Sequence, residues 1–293
     1  MSGLAQRLGF AAGERVAIVH CDDIGMCHAA NQGAFEALAR GPATCGSVMV
    51  PCPWFAEAAA LAREHAGVDL GVHLTLNCEY RRYRWGPVLG AAAVPSLVES
   101  DGGFPAASRE VAERARDDEV ERELRAQVER ALDAGLDVTH LDAHMGTALL
   151  PRFVGIYARL AVEFRLPVFA VRAETAALAR LGAEAHARYD AALSELAAGG
   201  IPLLDGFDAN SLHFAPGQGE AHNRARLRGL PPGVSYLICH PARAGEELAA
   251  ITEDAPMRDF ERGFYGGDAG RLALEREGIR TVGMRPLRDL VRG

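Results

Sequence analysis

The chain contains no lysine; all 31 of its basic residues are arginine. Reactions that need an ε-amino group, as a Schiff-base former or a general base, are therefore excluded. The arginines do not gather into a basic patch either. They alternate with Glu and Asp along segments such as "REVAERARDDEVERELRAQVERALDAG" (109–135), the pattern of a solvated helix face. With a formal net charge of −8, the electrostatic basis for nonspecific nucleic-acid binding is missing. The six cysteines (21, 27, 45, 52, 78 and 239) form no CxxC pair and have no small-domain disulfide spacing, so they read as reduced thiols. No stretch is long and apolar enough to span a bilayer. The first twenty residues, "MSGLAQRLGFAAGERVAIVH", carry Glu14 and no signal-peptide core, so the expected location is cytoplasmic. No repeat or low-complexity linker divides the sequence, and residues 1–293 are expected to form one domain.

What is present is an alternation. Short apolar runs are expected as strands at Val16–Cys21, Thr44–Val50, Asp69–Leu76, Asp137–Ala143, Val168–Arg172, Ile201–Leu204, Ser235–Cys239 and Arg280–Met284. Between most of them, segments of helical period are expected as helices: Ala29–Arg40, Trp54–His65, Arg109–Ala134, Arg152–Arg165, Tyr189–Ala198 and Arg258–Phe264, with stops at Gly41, Gly67, Gly135 and Gly199. Continuously apolar strands alternating with helices imply an α/β fold with a covered parallel sheet. An open doubly wound sheet and a closed barrel both fit that alternation. The polar residues favour the barrel, because they fall at the C-terminal ends of at least four strands, and a barrel collects such ends on one rim. The expectation is an irregular, TIM-like (β/α) barrel of seven or eight units. Residues 77–108 read as a loop insertion over its mouth, carrying Tyr80, Tyr83 and Trp85 as candidates for stacking on sugar rings or on another subunit.

The polar strand ends are "HCDDIG", "GVHLTLN" and "THLDAHMG". Adjacent carboxylates at Asp22 and Asp23 repel each other and resist burial unless a cation sits beside them. The bland alternative is that the pair caps the helix that follows. Asp and His from separate strand ends form an N/O donor set suited to Zn²⁺ or another divalent metal. Spacing alone leaves open which of His140 and His144 would coordinate. "YLICHPA" delivers a further imidazole, His240, able to act as acid or base near neutral pH.

With "VHCDDIGM", "LGVHLTL", "THLDAHMG", "CHPA" and "APMRDFERGFY" in this order over residues 16 to about 265, the sequence resembles the YdjC-like carbohydrate deacetylases, which include chitooligosaccharide and hopanoid-associated deacetylases. Ile24 stands where that family commonly has Phe, and the histidine that usually follows its third motif is absent after His144. The resemblance implies metal-dependent removal of an acetyl group from an N-acetylated sugar or glycoconjugate. It implies Asp23, His73 and His144 as metal ligands, Asp22 as the base that activates the metal-bound water, and His240 as the acid for the leaving amine. Asp142 and Arg258 follow as supporting residues around that site. The cofactor expected is a divalent ion, Zn²⁺ or Mg²⁺, and a homodimer is the default assembly. Alternatives are another metal-dependent amide hydrolase or sugar isomerase on the same barrel, or a non-catalytic sugar-binding protein.

Overall fold

A computed structural model describes residues 3–65, 67–172 and 182–293. Its strands are β1 (Arg15–Ile24), β2 (Cys45–Val48), β3 (Leu70–Leu74), β4 (Val138–Ala143), β5 (Gly206–Asp208), β6 (Gly233–Cys239) and β7 (Ile279–Thr281). All pair in parallel, in the order β4-β3-β2-β1-β6-β5. One edge of β1 pairs with β6 from Arg15 to Cys21; β7 takes residues 15–17 of the other edge and β2 takes it from His20 onward.

The sheet is curled, and alternation along each strand divides its side chains between two cores. Ala17, Val19 and Cys21 pack outward, against the helix His28–Arg40 among others, in the core that also takes the apolar side of the helix Val154–Phe164. Val16 and Ile18 point into the curl, where they meet Cys45, Leu204, Val234 and Tyr236. The N-terminal end of that interior is plugged by Leu4, from the helix Leu4–Arg7, and by Met284 and Leu287, at the helix Arg285–Arg292. Each fully buried apolar side chain here contributes about 1.5–3 kcal/mol. Polar side chains take over toward the C-terminal ends of the strands. His20, Ser47, His73, His140 and Asp142 are all buried there.

Among the described residues, six strands form the continuous path, where seven or eight units were expected. The segment expected as a strand at Val168–Arg172 touches each neighbour at a single point, through the parallel bridges Leu141–Val168 and Val171–Leu204. It bonds first to β4 and then crosses to Leu204, so neither pairing extends into a ladder. The expected helix Arg109–Ala134 is two helices, Ser108–Arg114 and Asp117–Asp133, separated by extended backbone at Ala115 and Arg116.

Candidate metal centre and active site

β1 ends on the two carboxylates. Asp22 continues the inward alternation of Ile18 and His20, whereas Asp23 adopts φ 64°, a left-handed conformation that Asp tolerates better than most residues. Such a residue costs about 1–3 kcal/mol and persists only where its surroundings hold it. Here the backbone turn lets two consecutive carboxylates face one cavity of about 490 Å³ at the C-terminal end of the sheet.

β3 supplies His73, and the turn after β4 supplies His144. The turn is sharp, because Met145 and Gly146 are both left-handed (φ 49° and 67°). The resulting convergence is specific. Asp23 Oδ1 lies 3.6 Å from His73 Nε2 and 3.3 Å from His144 Nδ1. Asp23, His73 and His144 are almost completely buried, with ligand atoms within 4.8 Å of one another. Among the described residues, Asp23 Oδ1 has no hydrogen-bond partner, an expensive condition for a buried carboxylate oxygen. Asp23 Oδ2, by contrast, accepts a 2.8 Å bond from Arg258 NH1. The far nitrogen of each imidazole is engaged: His73 Nδ1 at 2.7 Å from Asp142 Oδ1, and His144 Nε2 at 2.9 Å from Glu79 Oε2. Carboxylates behind the imidazoles, with the opposite nitrogens facing one unsatisfied oxygen, are the arrangement of a metal site and its supporting shell. The residues present fit a divalent cation with N/O donors.

Electrostatics agrees with that fit. Burial alone would raise the Asp23 carboxyl, but Arg258, His144 and His73 outweigh it and hold it well below the usual range. Burial would lower His73 and His144, yet the neighbouring carboxylates prevail. Asp142 and Asp22 drive His73 well above its ordinary value, and Glu79 with Asp23 pushes His144 up to about 9. The pocket thus favours positive charge at the point where the two imidazoles and Asp23 meet.

Asp22 and His240 flank this centre. Asp22 Oδ1 is 2.6 Å from His20 Nδ1, while Oδ2 lies 3.8 Å from both His73 Nε2 and His240 Nε2. His240, just beyond β6, has Nδ1 2.8 Å from Ser211 Oγ, and Ser211 donates to Glu261 Oε2 at 2.7 Å. Since the Ser211 proton is committed to Glu261, Ser211 accepts from His240 Nδ1–H, and Nε2 is the nitrogen turned toward the carboxylates. Burial lowers the His240 pKa.

The structure thus brings Asp22, Asp23, His73, Asp142, His144, His240 and Arg258 around one cavity. Trp85 is not part of its wall: it is buried, donates Nε1–H to the Asn77 carbonyl, and packs edge-on 6.1 Å from His144. Of the loop aromatics singled out with it, Tyr80 lines the cavity, and its hydroxyl lies 3.4 Å from Arg258 NH2. The Cys21 thiol lies on the outer face, 3.9 Å from that of Cys239. Glu79, Ser211 and Glu261 escaped the sequence reading. Glu79 and Ser211 belong to no periodic pattern, although Glu79 sits only six residues after His73, and Glu261 lies in the expected helix Arg258–Phe264 with nothing in its spacing to single it out.

Residues 16–276 match the family model described as YdjC-like protein. The chain belongs to the YdjC-like family. This YdjC-like protein is 36% identical over 260 residues to a carbohydrate deacetylase of Thermus thermophilus, covering 88% of each chain. It is 38% identical over 151 residues to a carbohydrate deacetylase of Brevibacillus brevis, covering 52% of this chain and 57% of that one. A crystal structure from Enterococcus faecalis, named for cellobiose-phosphate cleavage, superposes with a TM-score of 0.75 at 24% identity, over 94% of this chain and 99% of the other.

Proposed function

We propose that this YdjC-like protein is a divalent-metal-dependent hydrolase that removes the acetyl group from an N-acetylated sugar or glycoconjugate. The observation that carries this reading is the convergence of Asp23 Oδ1, His73 Nε2 and His144 Nδ1 beside a carboxylate and an imidazole left facing the same cavity. The deacetylase names of its relatives support the substrate class, and the cavity has the size of a small-molecule site.

Asp23, His73 and His144 would hold the cation, Zn²⁺ or Mg²⁺, which when bound polarises the amide carbonyl and acidifies water. Asp22 is suited to the base: Oδ1 is engaged by His20, and Oδ2 is turned toward the cavity to take a proton from the attacking water. The water oxygen forms a bond to the acetyl carbon, and the carbon–nitrogen bond breaks. His240, protonated on Nε2, delivers that proton to the departing amine, while Ser211 and Glu261 hold its ring through Nδ1. Asp142 and Glu79 orient the two ligand imidazoles, and Arg258 leaves one Asp23 oxygen for the cation by occupying the other.

The single bridges at Val168 and Leu204 support reading the curled sheet as an irregular seven-stave barrel in one domain, with residues 77–108 as an insertion. The deciding experiment is acetate release from a panel of N-acetylglucosamine compounds, before and after chelation, with metals restored singly. Chelator-sensitive release restored by one metal supports the reading. Bound metal at one equivalent with no release from any acetylated sugar overturns it.

A further inference from the structure

A chain of buried polar groups runs away from the cavity through the interior of the sheet, and the proposed hydrolysis uses only its first contact, His20 with Asp22. His20 Nδ1 is 2.6 Å from Asp22 Oδ1; His20 Nε2 is 2.8 Å from His140 Nε2; His140 Nδ1 is 2.9 Å from Thr139 Oγ1; Thr139 Oγ1 donates to Asp69 Oδ1. Asp69 directly precedes β3, at the N-terminal end of the sheet, and its Oδ2 accepts the backbone N–H of Arg285 at 2.7 Å. His20, His140 and Thr139 are completely buried, and Asp69 is 8% exposed. The path is built for. A Cβ on Gly71 would lie 2.7 Å from two carbons of the His140 ring and 2.5 Å from its carbonyl oxygen, so only glycine leaves room for the ring. The Tyr236 ring stacks on His20 at 4.7 Å.

The four contacts along this path each need one hydrogen. With both carboxylates ionised and both imidazoles neutral, only three are present: one on Thr139 and one on each histidine. If Thr139 donates to Asp69, His140 must donate from Nδ1 and accept at Nε2, so His20 donates from Nε2 and presents a bare Nδ1 to a carboxylate 2.6 Å away. Reversing every bond moves the same deficit to Asp69. An unfilled contact between two buried acceptors is strongly disfavoured.

We propose that His20, His140, Thr139 and Asp69 form a hydrogen-bonded wire that holds one proton beyond these three, and that this proton sets the donor direction presented to Asp22. His20, His140, Thr139 and Asp69 are thus positioning residues. The consequence for turnover rests on the reading of Asp22 as the base; the proton count does not. The groups facing the wire are consistent with an extra positive charge or a neutralised carboxyl inside it. Asp142 Oδ2 lies 3.7 Å from His20 Nε2, and the Arg285 side chain is directed to Asp137 and to the Val68 carbonyl. Burial, with His20 beside it, disfavours charge on His140, and burial raises the Asp69 carboxyl.

The test is NMR of the full-length, metal-loaded protein with ¹⁵N-labelled histidine and ¹³C-labelled aspartate carboxyls. The wild type is expected to show either three imidazole N–H groups on His20 and His140 together, or two with a protonated carboxyl at Asp69. Asp69→Asn gives a sharper outcome. The Arg285 N–H holds the Asn oxygen, so the amide N–H faces Thr139 and supplies the fourth hydrogen permanently. Both histidines should then be neutral, His140 protonated on Nε2 and His20 on Nδ1. Thr139→Val, which interrupts the path with little change in shape, should also abolish the extra proton. Two neutral imidazoles with an ionised Asp69 in the wild type would overturn the proposal, as would a His140 that keeps its proton on Nδ1 in Asp69→Asn. A second equivalent of bound zinc lost on His140→Gln would also overturn it, by placing a cation between His20 and His140. Absence of acetate release, with these spectra as expected, would defeat the deacetylase reading and leave the wire standing.

Discussion

At the scale of single residues, the proposed function separates groups that would bind the cation from groups that would work beside it, and the separation can be tested side chain by side chain. Asp22→Asn retains the shape of the carboxylate and leaves Asp23, His73 and His144 in place. The expected result is one equivalent of bound metal as before, with kcat for acetate release lowered about 10²–10⁴-fold, the range for losing a positioned base. Unchanged turnover would remove Asp22 from that role. Glu79→Ala should act differently. It frees His144 Nε2 and removes the charge that most favours a positive imidazole, so metal affinity in a competition titration should fall about 10–100-fold. The residue proposed for the first role stands out in the sequence, and Glu79, proposed for the second, does not. Asp22 and Asp23 stand out as a charged pair ending an apolar run, and His73 and His144 as imidazoles at strand ends. Glu79 lies in a loop, where neither period nor neighbours announce it. The His20–His140 contact brings together residues 120 positions apart and depends on register, which a single sequence does not reveal.

At the scale of elements, legibility followed the length and continuity of the apolar pattern. β1, β4 and β6 overlap expected strands because each is buried along nearly its whole length, although β4 carries Thr139, His140 and Asp142 within it and β1 runs three residues past the expected end. β5 has three residues and a glycine, too little pattern to stand out, and helices such as Gly219–Arg228 and Asp268–Arg276 carry more charge than apolar period. The break at Ala115–Arg116 has no glycine or proline to mark it; tertiary contact decides it, since Arg116 N–H donates to Ser96 Oγ at 2.8 Å. That contact belongs to a wider device. Glu119 accepts from both N–H and hydroxyl of Ser96, and Glu123 accepts from the backbone N–H groups of Val88 and Leu89, so helix Asp117–Asp133 tethers the 77–108 excursion through two buried carboxylates. Gln127, one turn on, bonds both backbone groups of Thr75 at the exit of β3. The excursion in turn carries Glu79 and Tyr80 to the cavity. Glu123→Ala orphans two backbone donors, each costing about 1–3 kcal/mol less whatever water recovers. Urea unfolding should show a loss in that range, accompanied by weaker metal binding as Glu79 loosens. A loss of stability with metal affinity untouched would show that the tether does not reach the site.

At the scale of the whole molecule, one end of the curled sheet is closed with apolar side chains and the other concentrates opposed charges, so stability and the proposed metal binding should be coupled through pH. The ordinary histidine value is 6.5, whereas His144 in the folded protein, beside Glu79 and Asp23, sits at about 9, and His73 is shifted in the same direction. A group raised on folding stabilises fully below its unfolded pKa, and the contribution disappears as pH climbs through the folded value. The chelated protein should therefore lose stability between about pH 6.5 and 9. Metal loading runs the other way. Nitrogen ligands must be unprotonated to bind, so rising pH relieves proton competition at His73 and His144 and tightens the site. Each tenfold gain in affinity adds about 1.4 kcal/mol to the loaded protein once metal is in excess. The gap in Tm between zinc-loaded and chelated protein should accordingly widen from pH 6.5 toward 9, and calorimetry of zinc binding should register proton release that shrinks over the same interval. A gap independent of pH would mean that the ion is held elsewhere. In His144→Gln the widening should be reduced, because one of the two competing protonations is gone while Asp23 and His73 remain.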